Sequence, residues 1–173
     1  MVWRGSTTPL DRIFAALVYV IPLIEAYLSF SGPLLNELPF LSPIFIVLWP
    51  FIIVYGFIVR LIPLGLGGLV IFFALYFLVV RNDRIRHLIR FSAMQSILIG
   101  IILSIFSILW ELILTAFGAL TRNSLFLVLN DTLFSLLFLG TLAATVYSIV
   151  YAVQGKYGEI PKISDYAYMY VRS

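Results

Sequence analysis

Side chains able to do chemistry are sparse in this chain. It has no cysteine and one histidine, His87. A disulfide, a zinc–thiolate site and a thiol nucleophile are excluded, and one imidazole cannot assemble a metal cluster. His87 lies in RNDRIRHLIR among arginines, where an imidazole reads as a solvated or headgroup-facing group rather than a catalytic base. Gly65, Gly67 and Gly68 lack the Lys-Ser/Thr of a phosphate loop. With no nucleophile and base that could converge, no enzyme activity, cofactor or metal is expected.

The remaining chemistry rests with carboxylates. Glu25, Glu37, Glu111 and Asp131 adjoin or interrupt apolar segments, and a carboxylate at membrane depth is costly enough to raise a functional hypothesis. Glu111 lies about 20 residues beyond Phe91, roughly 30 Å along a helix, which brings it toward the far interface. Asp131 follows the next turn by a comparable length and could meet Glu111 or Arg122 there. Glu111 and Asp131 are the candidates for a polar vestibule, with a satisfied interfacial patch as the alternative. Glu25 follows Pro22 by three residues. The missing proline N–H frees a backbone carbonyl, so this turn reads as a kink with local polar contacts rather than a substrate site.

The segments that carry these residues are overwhelmingly apolar. The 173-residue chain is 62% hydrophobic and 11% charged, with mean hydropathy +1.10, values that identify lipid as its principal solvent. Five apolar segments cover residues 13–30, 44–59, 64–80, 91–120 and 125–153. The last three read as firm helices. The first two carry Pro22 and Pro50, so either could be kinked, interfacial or re-entrant. The expected fold is a single all-α transmembrane domain over residues 1–173. It is a bundle of about four spanning helices with an additional Pro-interrupted interfacial or re-entrant helix.

Within the fourth segment, Ser92, Ser96, Gly100 and Ser104 recur every fourth residue and share one helix face. Small side chains there allow close helix packing, the ordinary role of such stripes in membranes. Trp3, Trp49, Trp110 and the run Tyr166, Tyr168, Tyr170 read as interfacial anchors. The net charge of +3 does not point to nucleic acid, because the basic residues flank apolar segments, where orientation signals sit.

Arg81, Arg84, Arg86 and Arg90 form the richest basic cluster and assign their loop to the cytoplasmic or stromal side. Four spans then place Arg4 and Arg12 on that side as well, with Lys156, Lys162 and Arg172, and leave Arg60 as the exception near the outer face. That count predicts that one of the first two segments does not cross fully. The N-terminus has neither the signal-peptide pattern nor that of an organellar transit peptide.

Several strings in order resemble the Tic-twenty family, a component of the protein import translocon of the chloroplast inner envelope. They are DRIFAALVYVIPLIEA (Asp11 to Ala26), FFALYFLVVRN (Phe72 to Asn82), IRFSAMQSILIGI (Ile89 to Ile101) and VYSIVYAVQGKYGEIPKISDYA (Val146 to Ala167). The resemblance spans nearly the whole chain and is nearest to cyanobacterial or plastid-encoded members. It implies four helices with both termini on the stromal side and a location in a cyanobacterial membrane or the plastid inner envelope. It further implies a role in protein translocation or insertion, as part of a conducting channel, with other translocon subunits, a translocating polypeptide or further copies of the chain as partners. A small-solute or ion transporter and a structural assembly subunit remain the competing classes.

Overall fold

The computed structural model describes residues 7–62, 67–118 and 123–171. Trp3, Arg4, Gly65, Arg122 and Arg172, on which the sequence reading also drew, lie outside them. Among the described residues every regular element is helical.

Helix α1 (Pro9–Leu17) starts where its sequence directs. Thr8 caps it by accepting from the Asp11 N–H, Asp11 accepts from the Thr8 N–H in return, and Pro9 occupies the first turn. The axis breaks at Val18 and Tyr19 before α2 (Val20–Phe30). Pro22 has no N–H to offer the Val18 carbonyl, which accepts from the Ile21 N–H at 3.3 Å and from the Ser96 hydroxyl at 2.9 Å. The kink is thereby tied to a neighbouring helix.

After the short α3 (Gly32–Glu37), residues Pro39–Leu48 form a 3-10 helix that leads into α4 (Trp49–Leu61). Pro39, Pro43 and Pro50 remove N–H donors along this stretch, so an unbroken α-ladder is unavailable, while the 3-10 rise of about 2.0 Å per residue lengthens the segment. Helix α5 (Gly67–Ala74) continues as a π-helix over Leu75–Val80. Two long helices follow, α6 (His87–Ala116) and α7 (Ser124–Val153), each of 30 residues and so about 45 Å long. The chain closes with α8 (Ile163–Tyr170).

Among the described residues, four helical stretches are long and apolar enough to cross a membrane: Pro9–Phe30, Pro39–Leu61, His87–Ala116 and Ser124–Val153. The assignment of the short element therefore changes. The sequence alone predicts that the first or second apolar segment falls short and that the third is a firm span. Instead both Pro-containing segments reach spanning length, because flanking helical turns extend them. The third has only Gly67–Val80 as described helix, well below the roughly 20 residues a crossing needs. Counting the four long stretches as spans also moves Arg60 to the same side as the Arg81–Arg90 loop, which removes the one exception to the charge rule.

The start of α1, the α5–α6 connection and the C-terminal tail meet at one end of the bundle. Arg86 approaches Asp11 at 3.8 Å. Gly155, after α7, has φ +75 and faces Thr7 and Arg12 so closely that a Cβ would lie 2.7 Å from the Thr7 hydroxyl. His87 contacts the Tyr157 hydroxyl at 3.0 Å and the Val171 carbonyl at 3.1 Å, and its ring stacks on Tyr168. It is therefore a half-buried staple for the tail, which corrects the solvated reading; ring and backbone acceptors folded back from residues 157–171 supply the environment. Arg90 is likewise no loop residue. It is 8% exposed within α6, donates to the Val80 carbonyl at 2.8 Å and pairs with Asp83 at 3.0 Å. Its guanidinium satisfies the end of the π-helix. Arg81, Arg84 and Arg86 remain exposed.

Above this end, α2, the 3-10 segment, α6 and α7 pack around Phe30, Phe45, Leu103 and Phe138. Phe30 stands edge-on to Phe106 and Phe134, with ring centroids 5.9 and 5.2 Å apart. In lipid, apolar burial gives little drive between helices, so interlocking rings and polar ties carry the association.

Candidate functional site

A concavity lies between α2, α5 and α6. It measures about 500 Å³ and its wall is mostly apolar, with Pro22 and Glu25 from α2, Phe72 from α5, and Ser96, Gly100 and Ser104 from α6. Among the described residues that line it, Glu25 alone is ionisable. One carboxylate oxygen of Glu25 accepts from the Tyr55 hydroxyl of α4 at 3.0 Å. The other lies against α6, 3.1 Å from where a Cβ on Gly100 would stand. Gly100 is near the midpoint of α6, so Glu25 sits at central depth in the bundle.

One glycine of α5 makes this arrangement fit. A Cβ on Gly67 would lie 2.5 Å from the Val59 Cα, so α5 can approach α4 only without a side chain there. A Cβ on Gly68 would stand 3.8 Å from the Tyr55 hydroxyl, an ordinary contact, so this residue lies beside the Tyr55–Glu25 pair without having to be glycine.

The small-residue stripe divides along its length. Ser92 and Ser96 are buried, the latter hydrogen-bonded to Val18. Gly100 faces Glu25, and Ser104 is exposed toward the cavity. Glu111 and Asp131 occupy another part of the molecule. Both are exposed, and among the described residues no hydrogen bond or ion pair joins them. What the fold does bring together are their neighbours. The Trp110 indole donates to Asn130 at 2.9 Å, and the Asn130 amide donates to Asp131 at 3.0 Å.

Below the cavity lies a polar node that the sequence reading did not single out. Gln95 is fully buried; its side-chain oxygen accepts from the Tyr19 hydroxyl. Its amide donates to the Gly158 carbonyl at 3.0 Å and the Ser164 hydroxyl at 3.2 Å. The node joins the α1–α2 break, α6 and the tail. A lone glutamine in an apolar helix was its available signal, since a buried amide in lipid requires partners. The signal for Glu25 was equally present, but the aromatic partner comes from 30 residues further along.

Comparison with known proteins bears on the whole chain. A family model described as chloroplast import apparatus Tic20-like matches residues 9–167. A Tic20 family protein of Synechocystis sp. is 42% identical over 163 residues, covering 94% of this chain and 93% of that protein. The Tic20 family protein Ycf60 of Porphyra purpurea is 35% identical, over 89% of this chain and 72% of its own length. The chloroplastic protein TIC 20-II of Arabidopsis thaliana is 26% identical, over 95% and 75%. With matches of this extent and four helices of spanning length, the chain is a multi-pass membrane protein that belongs to the Tic20 family.

Proposed function

We propose that this chain serves as a membrane subunit of a protein translocation or insertion complex and contributes one wall of a protein-conducting path. The observation that carries this reading is the cavity beside α2, α5 and α6, an apolar surface of side-chain dimensions with one carboxylate at central depth. Such a surface suits an apolar polypeptide better than a hydrated solute. Membership of a family whose model is described by the chloroplast import apparatus supports the same class of function. The middle of the bundle is filled by Phe30, Phe106, Phe134 and Phe138. The conducting path therefore runs along the outside of this bundle, against further translocon subunits or copies of the chain. Glu111 and Asp131 form a polar vestibule on the outer side in this reading.

Crosslinking with mass spectrometry in native membranes tests it: the chain should be captured with other membrane subunits and with polypeptides in transit. In liposomes the purified protein should show at most passive conductance, lowered by the double substitution Glu111→Gln and Asp131→Asn. Saturable, coupled uptake of a small solute by the isolated protein would replace this reading with that of a transporter.

A further inference from the structure

We infer that the Glu25 cavity receives an apolar polypeptide segment in transit that carries one lysine or arginine, and that Glu25 pairs with this cation at mid-membrane depth. The inference rests on the translocation reading and names the substrate feature that the site selects. An ionised carboxylate held among Pro22, Phe72 and Ile101 is expensive in a low-dielectric setting unless a counter-charge or full hydrogen bonding compensates it. Tyr55 supplies a hydrogen bond to one oxygen only. Among the described residues, no cationic side chain lines the cavity. An occupant that brings a cation to this carboxylate supplies the missing complement and favours its charged form.

The geometry also fixes what kind of occupant can deliver it. The cavity wall is mostly apolar above and below the carboxylate, with Ile97, Ile101 and Ile105 of α6 beside the small Ser96 and Ser104, so a cation flanked by apolar groups on both sides fits it best. A hydrated small cation lacks them, whereas a helix or extended segment of mainly apolar residues with one basic side chain has them. Lysine and arginine can lay their methylene stems along the apolar wall and place the charged head at Glu25. Pairing also lowers the cost of carrying that basic residue through lipid, where a lone charge at the centre is strongly disfavoured.

The test uses the full chain in membranes with a photo-crosslinking amino acid at Ile105, which is exposed and lines the cavity. Reporter polypeptides carry the same apolar stretch with Lys, Gln or Glu at its centre. The Lys reporter should crosslink about tenfold more than the Glu reporter, the ratio expected for one desolvated charge pairing gained against a repulsion. The adduct should vanish when translocation is chased to completion. Glu25→Gln should level the series, and Glu25→Lys should invert it in favour of the Glu reporter. The reporter series on the unmodified chain needs no variant to fold. Equal crosslinking of all three reporters, or an adduct to one resident protein that survives the chase, overturns the charge-selection inference and leaves the translocation reading standing. A second probe at Phe57, outside the cavity on α4, separates the remaining outcomes. Capture there alone removes the cavity as the receiving surface, and capture at neither site removes both readings.

Discussion

Replacing Gln95 by leucine should unlatch the C-terminal tail. Gln95 is fully buried and takes part in three side-chain hydrogen bonds, with Tyr19, the Gly158 carbonyl and Ser164. Leucine has nearly the same volume, so the cavity contribution is small and the polar loss decides the outcome. Ser164 keeps a partner, because its hydroxyl also accepts from the Ile160 N–H at 2.7 Å. The Gly158 carbonyl loses its side-chain partner, while the Tyr19 hydroxyl stays beside the Ser92 and Ser148 hydroxyls. One buried carbonyl left without that bond costs about 1–3 kcal/mol, above the ~0.6 kcal/mol average for interhelical bonds in membranes. The tail is held otherwise by His87 and by packing of Ala167 and Val171 against Phe91 and Met94. The loss should therefore appear as local opening rather than global unfolding. Hydrogen exchange in nanodiscs reads this directly at Ser164, Tyr166 and Val171, whose N–H groups bond to Ile160, Lys162 and Ala167. Exchange there should accelerate roughly tenfold or more, since each 1.4 kcal/mol is a factor of ten, while α7 amides change little. Unaltered protection across residues 160–171 would refute the assignment of Gln95 as the latch.

Three further outcomes follow from the same geometry. Gly100→Leu pushes a side chain onto Glu25, where even a Cβ would stand 3.1 Å from the carboxylate. The lost Tyr55 tie and the crowding should lower stability by about 1–3 kcal/mol in thermal unfolding, and an unchanged midpoint would show that the stripe faces open space. Gly155→Ala forces a Cβ into a left-handed turn at φ +75 and against Thr7, costing about 1–2 kcal/mol by the same measurement; no loss would mean that the turn relaxes freely. In a chain without cysteine, single cysteines at Leu10, Arg84 and Gln154 should label from one face of the membrane and a cysteine at Asn36 from the other. Labelling of Leu10 and Arg84 from opposite faces would contradict the four-span arrangement.

Much of this protein is local enough to be read along the chain. Long apolar runs declare the lipid environment, and the Thr8–Asp11 capping box and Pro22 mark where the first helix starts and breaks. The four-residue spacing of Ser92, Ser96 and Gly100 puts small side chains on one face of α6 whatever surrounds it. Spanning length was less legible. It depends on whether turns such as Pro39–Leu48 continue as helix despite their prolines and on where the third segment begins. Partner choice was not local at all. In lipid both the buried and the lipid-facing sides of a helix are apolar, so no amphipathic pattern tells which face meets another helix. Sequence position therefore drew attention to Glu111 and Asp131, near a predicted turn, and left Glu25 as a kink. Only the tertiary arrangement of α2, α4, α5 and α6 sets Tyr55 and Gly100 beside Glu25 and opens the cavity there. The same holds for His87 and Arg90: an arginine-rich string signals an interface, but the carbonyls of Val171 and Val80 that bind these two residues arrive through folding of the tail and of the π-helix.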